Sequence, residues 1–125
     1  MPFIQSNPNP KNARVGDCVI RAIAIATNSK WDTIYTELAA YGYMMCDMPS
    51  SNAVWGQYLK DHGCERGIVN DTCPDDCYTV RDFCLDNSEG TYILGTGVHV
   101  VAVIDGNYYD TWDSGNEVPI YFWRI

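Results

Sequence analysis

The first part of the chain changes abruptly from polar to apolar. Residues 1–11 are polar and punctuated by three prolines, and we expect them to form an extended arm. Residues 18–28 are apolar on every face except near Arg21. A helix that is apolar all round is typical of a buried, central position. The pattern therefore predicts a central helix over residues 18–28, with Asp17 as its N-cap.

Helical spacing of apolar residues continues through the middle of the chain. Residues 29–42 predict a second helix, with Ser29 or Asp32 as its cap and Gly42 as its end. Two further segments also predict helices, residues 49–63 and residues 79–87.

The last third of the chain has a different pattern. Four runs rich in β-branched and aromatic residues, separated by Gly and Asp, predict strands over residues 91–97, 99–105, 107–113 and 118–125. Asp105-Gly106 between two of them is a strong signal for a two-residue hairpin turn. Helices followed by an antiparallel sheet indicate an α+β fold, and 125 residues suit a single domain over residues 1–125.

Composition and charge narrow the class of protein. The chain is 46% hydrophobic with a formal net charge of −8, which disfavours a nucleic-acid partner because phosphates attract basic surfaces. No apolar run is long enough for a membrane span, and the N-terminus lacks the pattern of a signal peptide. We therefore expect a cytoplasmic protein that binds neither nucleic acid nor membrane.

The six cysteines have three possible interpretations. Without a signal peptide, reduced thiols are favoured over disulfides. Cys73 and Cys77 form the only close pair, and with Cys64 and Cys84 they could form a four-thiolate zinc site. Their spacing lacks the repeated short knuckles of zinc modules, so we predict no metal. The disulfide state of these four and of Cys46 stays open at this point.

Cys18 is placed where a thiol becomes reactive. The positive end of a helix dipole and its unpaired N–H groups favour a thiolate and lower the thiol pKa. A nucleophilic cysteine also needs a base. Of the two histidines, His62 lies at a polar helix end and fits a solvated cation, whereas His99 begins an apolar strand. His99 is therefore the candidate base.

The hairpin supplies a partner for the base. A two-residue turn at Asp105-Gly106 makes Asp110 and Ser114 the same-face, diagonal neighbours of His99. A three-residue turn would shift the register and bring Asp113 opposite instead. We favour Asp110 as the third member of a Cys-His-Asp triad, with Asp113 as the second choice.

Together these residues resemble the papain-like cysteine peptidases. Asn12 lies six residues before Cys18, where the family has its oxyanion glutamine, although the Asn side chain is one methylene shorter. His99 opens a strand as the family's histidine does, and the run from Asp110 to Trp112 is similar to its Asn-Ser-Trp motif. The likeness is strongest to compact bacteriocin-processing peptidases and to small papain-like proteins encoded by bacteriophages.

The resemblance implies a papain-like fold, with N-terminal helices and a buried central helix packed on a C-terminal antiparallel sheet. It also implies an amide or isopeptide hydrolase that acts on a peptide or protein without a cofactor. Its site residues would be Cys18, His99 and Asp110, with Asn12 in the oxyanion hole. If the protein is phage-encoded, its place is the host cytoplasm or the virion. An alternative interpretation is an inactive papain-like module that binds a peptide or partner protein.

Overall fold

Three of the four helices lie before residue 62 and four of the six strands lie after residue 90, so the predicted order of helices and then sheet holds for most of the described elements. The computed structural model describes residues 2–125; Met1, the first residue of the predicted arm and domain, lies outside them. The helices in this range are α1 (Cys18–Ala26), α2 (Trp31–Met45), α3 (Asn52–Asp61) and α4 (Val80–Asp86). The strands are β1 (Phe3–Gln5), β2 (Glu65–Ile68), β3 (Thr91–Gly95), β4 (Val100–Ile104), β5 (Asn107–Asp110) and β6 (Tyr121–Arg124). The class is α+β.

The described strands form one sheet in the order β1-β5-β4-β3-β6-β2. All neighbouring strands are antiparallel except β1 and β5, which are parallel. The sheet is therefore mixed, whereas the sequence predicted a purely antiparallel one. The parallel strand comes from the predicted extended arm, where Phe3 packs against Tyr108 with ring centroids 5.4 Å apart. Edge strands as short as β1 and β2 carry too few residues to produce a recognisable alternation.

Helix α1 is central and buried, as its all-apolar sequence predicts. Its residues from Val19 to Ala24 are all buried. The helix packs on β3 and β4 and contacts α2, within one hydrophobic core on its face of the sheet. A second core lies against α4 and includes Val80, Phe83 and Tyr108. The first turn of α1 is thereby held rigidly against the start of β4.

The boundaries of α2 differ from the prediction. The helix starts after Lys30, and no side chain caps it, so neither Ser29 nor Asp32 has the predicted capping role. It also continues through Gly42 to Met45. A Cβ at Gly42 would lie 2.7 Å from the carbonyl oxygen of Asp47. Gly42 is therefore required for close approach of the following loop, not for ending the helix.

The cysteines are only partly reduced. Cys73 and Cys77 form a disulfide, which corrects the expectation of reduced thiols for this pair. Cys18, Cys46, Cys64 and Cys84 are free. None of the helices within residues 2–125 combines the length and apolarity needed to cross a membrane.

Candidate functional site

Cys18 is the first residue of α1, and its side chain meets the start of β4. The His99 side chain and the backbone N–H of Val100 are close enough to the sulfur to lower the pKa of the Cys18 thiol. The thiol is partly buried rather than enclosed in the core. It therefore lies between the N-terminus of a helix and an imidazole, with a face that reagents can reach.

A tight turn positions His99 one residue before β4. Thr96 holds both ends of that turn: its Oγ1 accepts a hydrogen bond from the His99 N–H at 3.1 Å, and its own N–H donates to the His99 carbonyl at 2.9 Å. The His99 side chain is only 12% exposed. The backbone of His99 is thus fixed at the start of β4, and its ring is mostly buried there.

Asp110, the last residue of β5, binds the other side of the imidazole. Its Oδ2 lies 2.6 Å from His99 Nε2, which leaves Nδ1 as the ring nitrogen for Cys18. Ser114 Oγ donates to the same oxygen at 2.7 Å, and the Thr111 N–H donates to Oδ1 at 2.8 Å. Asp110 is 3% exposed, and its carboxylate accepts from these three donors and also forms a longer ion pair with Arg21.

The hairpin register explains why this aspartate reaches the histidine. Asp105 and Gly106 form a two-residue turn with positive φ at both positions, and Ile104 pairs with Asn107 as predicted. Asp113, the second choice, points elsewhere. Its carboxylate accepts hydrogen bonds from Arg81 Nη2 at 2.9 Å and from the Tyr108 hydroxyl.

The pKa values of the pair favour a thiolate–imidazolium state. Burial raises the pKa of Cys18, but the hydrogen bond and charge of His99, with smaller help from Val100 N–H and Arg21, lower it below its ordinary value. Burial lowers the pKa of His99, yet Asp110 and Cys18 raise it to about 9. Both shifts act towards a thiolate–imidazolium pair, which is the state that a nucleophilic cysteine needs.

A buried cation extends the arrangement beyond the three predicted residues. Arg21 Nη2 lies 3.5 Å from Asp110 Oδ1, and Nη1 pairs with Asp17 Oδ1. Asp17 occupies the predicted N-cap position, but its carboxylate does not cap the helix. It binds Arg21, Trp31 Nε1 at 2.9 Å and Asn9 Nδ2 at 3.2 Å instead. Sequence reasoning missed this group, although Arg21 is the single charge in α1 and lies four residues after Asp17.

Asn12 lies outside this cluster. It is exposed, has a positive φ of 52°, and its Oδ1 accepts a hydrogen bond from Asn7 Nδ2 at 3.2 Å. That bond uses the oxygen and not the nitrogen that an oxyanion would need. Its oxyanion role stays a prediction.

Two other side chains complete the description of the surroundings. Trp112 packs against His99 with ring centroids 5.1 Å apart while 44% of its surface remains exposed. His62 is elsewhere, at the C-cap of α3, with Nδ1 2.7 Å from the Tyr58 carbonyl oxygen. Within residues 2–125, no three His, Cys, Asp or Glu side chains converge in a way that could hold a metal ion.

Comparisons with protein-family models, with curated proteins and with solved structures gave no significant match. The chemistry of the site therefore has to be argued from its own geometry.

Proposed function

We propose that the protein is a papain-like cysteine peptidase that cleaves an amide or isopeptide bond in a peptide or protein substrate. One observation carries the proposal: Cys18 at a helix N-terminus, His99 against its sulfur and Asp110 on the far ring nitrogen. Nucleophile, base and orienting group are the three parts that acyl transfer by a cysteine requires.

Each residue has a defined step in this mechanism. His99 holds the Cys18 proton, and the thiolate attacks the substrate carbonyl to give a tetrahedral intermediate. The backbone N–H of Cys18, at the start of α1, stabilises the oxyanion, with the Asn12 amide as the predicted second donor. The imidazolium then donates its proton to the leaving amine. Water, deprotonated by His99, hydrolyses the thioester and regenerates the thiol.

Asp110 sets the tautomer throughout this cycle. Because its Oδ2 accepts from Nε2, the neutral imidazole must carry its proton there and present an unprotonated Nδ1 to the thiol or to water. The ring of Trp112 packs against His99 and would shield that side of the imidazole during the reaction.

A second candidate function is binding without cleavage. It is favoured by Asn12, whose exposed side chain is one methylene shorter than glutamine and is bonded to Asn7, so the backbone N–H of Cys18 would be the main oxyanion donor. A papain-like module with a weak oxyanion hole would hold a peptide and release it intact.

Thiol reactivity provides the first test, because it does not require knowledge of the substrate. Iodoacetamide alkylation at pH 6, read by peptide mass spectrometry, should modify Cys18 at least about tenfold faster than Cys46, which is more exposed. His99→Ala should abolish this preference. Equal rates for the two cysteines in the wild-type protein would contradict the enzyme proposal.

A panel of peptides and isopeptides then distinguishes the two candidates. Cleavage by the wild-type protein that disappears in Cys18→Ala would support hydrolysis. Binding of the same peptides with equal affinity by both proteins, without any cleaved product, would favour the binding module.

A further inference from the structure

Arg21 is a buried cation between two buried carboxylates. It is 7% exposed, Asp17 is 4% exposed and Asp110 is 3% exposed. Nη1 pairs with Asp17 on its own helix, and Nη2 reaches Asp110 at the end of β5. Burial of one unpaired charge costs several kcal/mol, so the three groups are energetically dependent on one another.

The two carboxylates do not have equivalent surroundings. Asp17 is also held by Trp31 and Asn9 and has no contact with the imidazole. Asp110 divides its two oxygens between functions: Oδ2 binds His99, while Oδ1 faces Arg21 and the Thr111 N–H. The guanidinium therefore acts on the oxygen that the triad leaves unused.

Helix geometry brings the guanidinium to this place. Residues three and four positions apart lie on the same face of a helix, so Arg21 shares one face with both Asp17 and Cys18. Arg21 joins the first turn of α1, which carries the nucleophile, to the end of β5, which carries the aspartate.

We propose that Arg21 is a positioning residue for the site, resting on the function proposed above. Its guanidinium keeps the Asp110 carboxylate ionised and oriented with Oδ2 towards His99, and Asp17 holds the guanidinium in place. A planar fork suits this task because it can face two carboxylates at once.

The charge of Arg21 also favours the thiolate itself. The groups that face the Cys18 sulfur are His99 and the Val100 N–H from the β4 side, Arg21 from its own helix and Tyr121 from β6. Of these, Arg21 is the permanent cation. Its loss should raise the pKa of the thiol both directly and by weakening the hold of Asp110 on His99.

The test compares Arg21→Met, the double variant Asp17→Asn/Arg21→Met, and Arg21→Lys. Arg124→Met, which removes an exposed arginine on β6, three strands away from β5, is the matched control. Arg21→Met leaves the buried Asp17 carboxylate without its cation and could prevent folding. The double variant removes that carboxylate charge, so it tests the role of Arg21 if the single variant does not fold. The measurement is the rate of Cys18 alkylation by iodoacetamide as a function of pH, with thermal melting followed in parallel.

The acid limb of the alkylation profile should move up by about one pH unit in Arg21→Met, which makes alkylation about tenfold slower below the midpoint. The double variant should show a smaller shift in the same direction, because it also loses the Asp17 carboxylate, which opposes a thiolate at Cys18. Arg21→Lys should retain most of the charge effect and shift the limb less, and Arg124→Met should not shift it. A folded double variant with the wild-type acid limb would show that Arg21 is merely structural.

This failure is distinguishable from failure of the proposed function. A reactive wild-type Cys18 with an unmoved limb in the variants overturns only the role of Arg21. A wild-type Cys18 that reacts no faster than Cys46 overturns the enzyme itself, and the role of Arg21 with it.

Discussion

Replacing Asp110 by Asn tests whether this site requires a carboxylate or only a hydrogen-bond acceptor. The papain-like function proposed above would make the substitution look conservative, because that family often has Asn at the corresponding position. The surroundings of Asp110 indicate the opposite. Two donors, the His99 ring and the Ser114 hydroxyl, face Oδ2, and the Thr111 N–H and Arg21 face Oδ1.

An amide cannot satisfy these four donors, because one of its two ends carries N–H groups instead of lone pairs. If Nδ2 of the new side chain faced Thr111 and Arg21, donors would oppose donors. If it faced His99, the neutral imidazole would shift its proton to Nδ1 and could no longer accept the thiol proton. We expect a loss of about 2 kcal/mol in stability from the unsatisfied groups.

The magnitude of the effect on reactivity follows from the pKa of His99. It is raised from 6.5 to about 9, which corresponds to roughly 3 kcal/mol of preference for the imidazolium, shared between Asp110 and Cys18. Loss of the aspartate charge should lower this pKa by at least about one unit. The ion-paired fraction of Cys18, and with it the alkylation rate at neutral pH, should fall by about 10- to 100-fold.

The assay is alkylation of Cys18 between pH 4 and pH 10, with Asp113→Asn as the matched control. Asp113 lies three residues after Asp110 but is exposed and bonded to Arg81 and Tyr108 rather than to His99. The control should keep the wild-type profile, including its inflection near the His99 pKa of about 9. An Asp110→Asn variant with unchanged pH profile and unchanged melting temperature would refute this reasoning.

The same variant should alter the dependence of stability on pH. The pKa of Asp110 is lowered because the His99 and Ser114 hydrogen bonds outweigh burial, so its contribution is present above its unfolded pKa and lost as pH falls. The raised pKa of His99 contributes fully below 6.5 and is lost as pH rises through about 9. The stability gap between wild type and Asp110→Asn should therefore be widest between about pH 4 and pH 6.5 and narrow by pH 10.

Three other substitutions have clear expectations. Cys18→Ala should abolish hydrolysis. It should lower the free energy of unfolding by only about 1 kcal/mol, because the sulfur lies at the start of a helix and is partly exposed. An unfolded variant, together with a wild-type protein that never reacts with a thiol trap, would make Cys18 a core residue. Asn12→Ala should lower kcat/KM by about 10²-fold or less, since a backbone N–H remains, and a larger loss would assign the oxyanion hole mainly to this side chain. Gly42→Ala should destabilise the protein by about 1–3 kcal/mol because its Cβ would meet the Asp47 carbonyl at 2.7 Å, whereas Gly56→Ala, with its nearest contact at 3.5 Å, should be neutral or stabilising in the same melting assay.

The local sequence pattern was sufficient to predict the helix and the hairpin that carry the candidate site. The all-apolar run after Cys18 predicted a buried helix, and the Asp105-Gly106 turn determined the register that puts His99 and Asp110 on one face. These predictions depend on periodicity and turn chemistry, which act over a few residues and are therefore legible in one sequence.

Other features depended on contacts between distant segments. The strand at residues 3–5 exists because β5 offers it an edge, and Gly42 lies within a helix because a later loop packs against it. In both cases the local sequence gives no sign of the distant segment that it contacts. The same holds for Asp17, whose carboxylate looked like a helix cap.

Asp17 turns away from the helix N-terminus because a buried arginine and an indole N–H compete for its oxygens. In a buried setting a charge-assisted pair outweighs a cap, since an unpaired guanidinium there would cost more than a lost capping bond. The sequence by itself determined where Cys18, His99 and Asp110 lie along their elements. Only the tertiary structure decided that one arginine would join them, because burial, which sets the strength of that ion pair, is a property of the packed chain.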